Sequence, residues 1–487
     1  MKQKIFFSDL VKIQYWLFVK QRTNWLLLIV FLLAGLYALY QGFAFKEKQI
    51  STIQSFREEK SSNLNEMVSG FQADTTTVEG KEAYQKVTEV IQANWYTVLP
   101  AYKIPNTTAI YSIGQGDVFP YYYTVKLESF FMQLFKQNEI TNPLRSLAGH
   151  FDTSFWVIYL LPLLIIVLGF NILSAELDNG NWRLINSQGV SPKHWVRSKM
   201  LLIAYGVCSL FLIIFFIGII INYIHFNQTP DMTDLLFFVG ANLYLGFWLS
   251  VLYLINAFGL NTSASALYSG ILWVLICIVM PALVTTIVEK IVQVDNTLVS
   301  RISRRPQGAR FEGDDAFGIK TIRQFGELKP QYKDATIGPK SKWFRFSVYF
   351  AYHVLLDDSN RVVVQHYFDK IERRQIITNA STILNPAASM DGIFAGLASN
   401  DADANHQFIW SMKDFHGGLR DAFFPALFYD RNLRESDYKR LPTMDSSSAR
   451  SQKLSRMILI YYFIYVIMII LPIRWANKKF QLQPKSS

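Results

Sequence analysis

Six apolar stretches without a single charged residue divide this chain: residues 25–43, 154–173, 200–223, 235–258, 266–288 and 457–473. At 1.5 Å of rise per residue, runs of this length cross a hydrocarbon core of roughly 30 Å, and a soluble core helix needs no such uninterrupted apolar run. The chain therefore reads as an α-helical polytopic membrane protein with six transmembrane helices. It carries two long inserts, residues 44–153 and 289–456, and shorter connections at 174–199, 224–234 and 259–265.

The net charge of +11 acquires meaning only when it is mapped onto these segments. Before the first run lie Lys2, Lys4, Lys12, Lys20 and Arg22 against Asp9. Between the second and third lie Arg183, Lys193, Arg197 and Lys199 against Glu176 and Asp178, and after the sixth lie Arg474, Lys478, Lys479 and Lys485 without an acid. Short Lys/Arg-rich flanks stay on the cytoplasmic side, so both termini (1–24 and 474–487) and the 174–199 connection are expected inside. The 224–234 loop has no Lys or Arg, and 44–153 holds ten bases against twelve acids, so both belong outside. Residues 289–456 carry 25 bases against 20 acids, including Arg301, Arg304, Arg305 and Arg310. Long loops translocate largely regardless of charge, and the number of spans ahead of this one places it outside as well. The basic balance is thereby explained by membrane orientation and an anionic inner leaflet, and nucleic acid is not an expected partner.

Residues 7–23 alternate Phe7, Leu10, Trp16 and Leu17 with Lys12 and Lys20, the pattern of an amphipathic helix lying in the bilayer interface. The first run follows more than twenty residues with no small-residue cleavage signal after it, and so reads as a retained signal anchor. Ile50, Ile53, Phe56, Leu64 and Phe71, then Tyr84, Val87, Ile91 and Trp95, fall at helical spacing and predict a hairpin-like first insert. Gly114, Gly116 and Pro120 followed by Tyr121 to Thr124 predict a turn and a short strand. In the second insert, 344–356 predicts a helix or strand and 362–379 and 406–424 predict helices, so its class stays open between mixed α/β and mainly helical. Cys208 and Cys277 lie inside apolar runs and read as small packing residues. Gly240, Gly246, Gly259 and Gly270 suit close helix packing, and aromatics such as Phe211, Phe237, Tyr244 and Trp248 read as packing rather than a substrate path.

No nucleotide-binding loop G-x-x-x-x-G-K-[ST] is encoded, and no His-Glu-x-x-His, Cys-x-x-Cys or Gly-x-Ser-x-Gly. The chain is expected not to be an enzyme and to hold no metal or cofactor of its own. Asp401, Asp403 and His406 cluster in sequence, but an Asp-rich loop opening a helix accounts for them without a metal. The apolar runs carry no ionisable residue near their centres, so an ion-coupled carrier site is not indicated.

The most specific stretch is Asn171 to Lys199, NILSAELDNGNWRLINSQGVSPKHWVRSK. It offers an acidic pair, a glycine, a short helical turn, a Gly-Val-Ser-Pro break and a basic helix leading back to the membrane. Here the chain resembles the permease subunits of type-2 ABC exporters, in which a Glu at the end of the second span and a Gly-Thr-Leu-Arg-like turn form a coupling helix. Glu176, Gly180, Arg183, Leu184, Gly189, Val190 and Ser191 stand at the matching positions, with Asn181 where Thr is usual. The resemblance extends to a subfamily with two large outer loops and a domain of unknown function, through Ser112 to Pro120, Asn142-Pro143 to Gly149, Phe151-Asp152, Leu160 to Leu163, Asn261 to Ala266, and Asn385-Pro386 leading to 401–408.

The resemblance implies a motorless membrane subunit in the cytoplasmic (inner) membrane of a bacterium. Its partners would be a dimer of separate ABC ATPase subunits, which bind ATP and Mg, and a second permease copy or paralogue. Three outputs are weighed: export of a substrate the sequence does not identify, mechanical signalling through the outer inserts to a periplasmic or envelope partner, and a passive scaffold.

Overall fold

The computed structural model describes residues 7–96, 99–137, 151–294, 302, 314–383, 385–444 and 452–482. The Asn142 to Gly149 motif, the arginines at 301, 304, 305 and 310, and Lys2, Lys4 and Lys485 lie outside the described residues. Helix makes up 78% of the protein, which settles the class as helical. Six helices are long and apolar enough to cross a membrane: Arg22–Gly70, Thr153–Asp178, Pro192–Ile224, Met232–Ala257, Thr262–Ile291 and Met457–Gln481.

Helix starts follow the side chains that can satisfy their free N–H groups. Asp152 accepts from the Phe155 amide at the head of the second span, and Asn261 from the Ala264 amide at the head of the fifth. At the fourth, Asp231 accepts from the Thr233 amide while Asp234 accepts in return from the Asp231 amide, a reciprocal capping box. The second and fifth spans each contain one π-helical turn, Trp156–Leu160 and Leu275–Val279, directly ahead of Pro162 and Pro281. Pro162 has no N–H to give, which frees carbonyls of the preceding turn. Tyr244 of the fourth span donates to the Ile158 carbonyl at 2.9 Å, and Trp273 of the fifth donates to that of Tyr159 at 3.1 Å. The defect in the second span is thereby turned into bonds between three spans.

Phe211, Phe237, Tyr244 and Trp248 are buried in the membrane core, as expected of packing residues. Gly240 admits the Tyr462 hydroxyl and Gly246 admits Ile469, so the fourth and sixth spans approach closely there. The other two glycines correct the sequence expectation: Gly259 turns the chain at φ +63°, and a Cβ on Gly270 would meet nothing.

The first span runs without interruption from the membrane into the first insert as a single 49-residue helix. It is followed by helices Val78–Thr88 and Val90–Tyr96 and by a two-stranded antiparallel ribbon, β1 (Leu99–Tyr102) with β2 (Tyr122–Val125), in register Leu99 to Val125. The second insert is helical among its described residues. The helix or strand expected at 344–356 and the helix expected at 362–379 form one helix, Phe344–Thr382, and Asp315–Leu328, Pro386–Leu397 and Ala402–Phe428 pack around it. The inserts share one hydrophobic core, in which Met67, Val87, Leu99 and Phe131 of the first meet Phe325, Phe344, Phe408 and Phe428 of the second. A shared core puts both inserts at the same end of the bundle.

Candidate functional site

The 174–191 connection and the inserts occupy opposite ends of the bundle. The third span begins at Pro192, next to the connection, and 30 residues later, about 45 Å along its axis, Asn222 bonds to the first insert. Asn222 accepts from the Lys46 ammonium at 2.7 Å and donates to the Thr107 carbonyl at 2.9 Å.

At the connection, two short helices, Ser174–Asp178 and Trp182–Ser187, are separated by Gly180 at φ +73° and closed by Gly189 at φ +80°. Only glycine takes these left-handed conformations without strain, and a Cβ at either position would meet no atom. The two turns are therefore required by backbone geometry alone. Trp182 and Ile185 pack against the membrane core, whereas Leu184 stands 67% exposed beside an exposed Arg183. Glu176 accepts from the Asn181 amide nitrogen at 3.3 Å, so Asn181 braces the turn through its side chain instead of capping the following helix. Val190 is buried, and Ser191 caps the third span through the His194 amide.

The connection is tied to the spans on both sides. Asp178 accepts from the Thr262 amide, the first residue of the fifth-span helix, at 2.9 Å. The Trp195 indole donates to the Ile172 carbonyl at 3.2 Å, which holds the start of the third span against the end of the second. Alongside the third span lies the helix Phe7–Lys20, burying Leu10 and Gln14 and leaving Trp16 exposed. Of the seven residues assigned to coupling from sequence, Glu176, Gly180, Arg183, Leu184 and Gly189 form the hairpin that projects from the bundle. Val190 and Ser191 form its root.

At the other end, residues 106–116 thread between the spans and the second insert. Tyr111 is fully buried, stacked against Phe215 and Phe237, and donates to the Phe215 carbonyl at 2.7 Å. Asn106 and Thr108 both donate to the Leu397 carbonyl at 2.7 Å, and the Gln115 amide donates to that of Asn400 at 2.9 Å. The Ser112 to Pro120 and Asn385 to Phe408 stretches, distant in sequence, thus meet in one joint. Lys46 was not singled out from sequence, yet it is fully buried and also donates to Gln228 at 2.6 Å.

Two cavities lie at this joint, of about 1110 Å³ and about 420 Å³, with Gln375, Asn379, Asp401, Asp403, Met457 and Tyr461 in the walls of both. Lys103 donates to the Ser399 carbonyl at 2.8 Å, and its burial brings the amine down to about 8. Asp401 caps Ala402–Phe428 through the Ala404 amide, the helix-opening role its sequence suggested, and His406 lies against Trp410. Among the described residues no group of three or more His, Cys, Asp or Glu is placed to hold a metal ion.

Comparison with known families matches residues 126–244 to the family described as ABC-2 membrane transporter related, and residues 311–445 to a domain of unknown function, DUF3526. The first match covers the second and third spans with the connection between them, and the second covers most of the second insert. No curated protein and no solved structure matches the chain.

Proposed function

We propose, for a multi-pass membrane chain that carries an ABC-2 membrane-transporter-related region followed by DUF3526, that it is the permease subunit of an ATP-driven exporter worked by a separate ATPase. The 174–191 hairpin is the part the ATPase grips, through Arg183 and Leu184, with Glu176 bracing the turn from within. The observation that carries this reading is the exposed Leu184 at the tip of a glycine-bounded hairpin whose root is bonded to the second, third and fifth spans. A push on such a hairpin reaches three spans at once.

In this reading the hairpin and both termini face the cytoplasm and the inserts face outward, in keeping with the Lys/Arg-rich flanks. A second permease copy or paralogue completes the pathway, and ATP with Mg binds the partner ATPase. The test is reconstitution with the companion ATPase. Arg183→Ala and Glu176→Ala should leave insertion and folding intact while reducing stimulated ATP hydrolysis, and unchanged turnover in both variants sinks the reading.

A second output has its own support. The 49-residue helix carries movement of the first span directly into the insert core, so mechanical signalling to an envelope partner fits the same machinery. ATP hydrolysis in sealed vesicles without movement of any substrate would select it.

A further inference from the structure

The two cavities at the joint are acidic, although the chain as a whole is strongly basic. Asp231, Glu372, Asp401 and Asp403 line the larger one, with Lys103 the only Lys or Arg in its lining among the described residues. Asp152, Asp391, Asp401 and Asp403 line the smaller, with no Lys or Arg among the described residues. Lys103 is already engaged by the Ser399 carbonyl. Asp152, Asp231 and Asp401 are occupied by backbone amides at helix starts. Glu372, Asp391 and Asp403 accept no hydrogen bond and make no ion pair among the described residues. Asp391 lines the smaller cavity, and the protein packed around its carboxyl pushes it up to about 6.

Beside uncharged polar side chains such as Gln228, Gln375 and Asn379, the larger cavity also has an apolar wall. Ile104, Pro105, Ile376, Ile383 and Met457 face the larger cavity beside Tyr461, whose hydroxyl donates to the Asn379 carbonyl at 2.9 Å. Met457 and Tyr461 open the sixth span, so this wall continues into the membrane. The carboxylates are too dispersed to chelate a metal, which leaves a cation whose charge is spread over, or attached to, a sizeable apolar body. Pockets for such molecules have volumes of roughly 300–1,000 Å³, the scale of these cavities.

We infer that this joint binds amphiphilic organic cations, with the apolar body against Ile376, Ile383 and Met457 and the charge among Glu372, Asp391 and Asp403. As a substrate site this rests on the exporter reading, but binding itself needs no ATPase, so either can fail without the other.

The experiment is equilibrium binding of rhodamine 6G to the full chain in nanodiscs, read by fluorescence polarisation against empty nanodiscs. The unaltered protein is expected to bind saturably, more weakly as salt is raised. The triple variant Glu372→Gln, Asp391→Asn, Asp403→Asn should raise Kd about 10-fold or more. A control triple variant on the first insert, Glu58→Gln, Glu59→Gln, Asp74→Asn, should leave Kd unchanged, and thermal unfolding of both variants verifies the fold. Equal Kd in the unaltered protein and the cavity variant overturns the inference. So does a protein that binds only after Arg450→Gln, Lys453→Gln and Arg456→Gln, because the chain's own bases would then be the occupants.

Discussion

Arg420 sets its guanidinium 3.0 Å from the Asp357 carboxylate while donating to the Leu127 and Glu128 carbonyls. Asp357 in turn accepts from the Ser129 hydroxyl at 2.6 Å and from the Phe130 amide at 3.2 Å. One ion pair from the second insert therefore gathers the backbone of the first, and both side chains are mostly buried. Removing one partner strands the other charge away from water. Arg420→Met should cost about 3–5 kcal/mol of insert stability. Protease protection of residues 314–444 in the intact protein is the measurement, and an unaltered cleavage threshold would show the pair to be dispensable.

Gly42 lies where the first span passes the 107–111 turn. A Cβ there would fall 1.9 Å from the Ile110 carbonyl oxygen, and neither backbone can yield without displacing Tyr111 from its stack. Gly42→Ala should destabilise by about 3 kcal/mol, the upper part of the overpacking range. Thermal unfolding in detergent reads this as a lowered midpoint.

In the hairpin the glycines act through conformation alone. Gly180→Ala and Gly189→Ala should each introduce about 1–3 kcal/mol of local strain with no steric clash. The global melting temperature should barely move, because only the exposed hairpin rearranges, whereas ATPase stimulation should fall.

Leu184→Asp puts a charge where an apolar side chain stands exposed. The isolated chain should keep its stability to within about 0.5 kcal/mol. Affinity for the companion ATPase should drop about 10-fold or more, the scale of a central interface contact. Titration of the ATPase against nanodisc-held protein distinguishes this from a structural role, which would lower stability as well.

Cation binding at the joint should strengthen with pH in two steps. Asp391, pushed up to about 6 by the protein around it, loses its proton as pH rises through that value and adds negative charge. Lys103, brought down to about 8, loses its positive charge as pH rises through that value. Asp152, Asp401, Asp403 and the Tyr159 hydroxyl share the smaller cavity with Asp391. Rhodamine 6G affinity should rise from pH 5 to pH 9, and Asp391→Asn should flatten the lower step while leaving the upper. A pH-independent Kd contradicts the assignment.

The spans were legible because a charged side chain in hydrocarbon is costly, so a run of some twenty residues without one fits a bilayer far better than any soluble fold. The hairpin was legible because Gly180 and Gly189 mark turns that the backbone requires. The single helix Phe344–Thr382 was not, because Asp357-Asp358-Ser359-Asn360 looks like a break. Asp357 is instead held by Arg420 and Ser129, a contact with no local signature. The same holds for Lys46: a lysine three residues past an apolar run looks like an interfacial charge, and only Asn222 and Gln228, roughly 180 residues away, account for its burial. The joint between 106–116 and 395–401 depends on similarly remote partners.

The uninterrupted helix Arg22–Gly70 is about 74 Å long. A tilt of about 5° around its first turn would carry its far tip by about 6 Å. It works as an indicator needle: small rearrangements at the hairpin end of the bundle become large excursions at Gly70, and a probe pair there would report them without touching either mechanism.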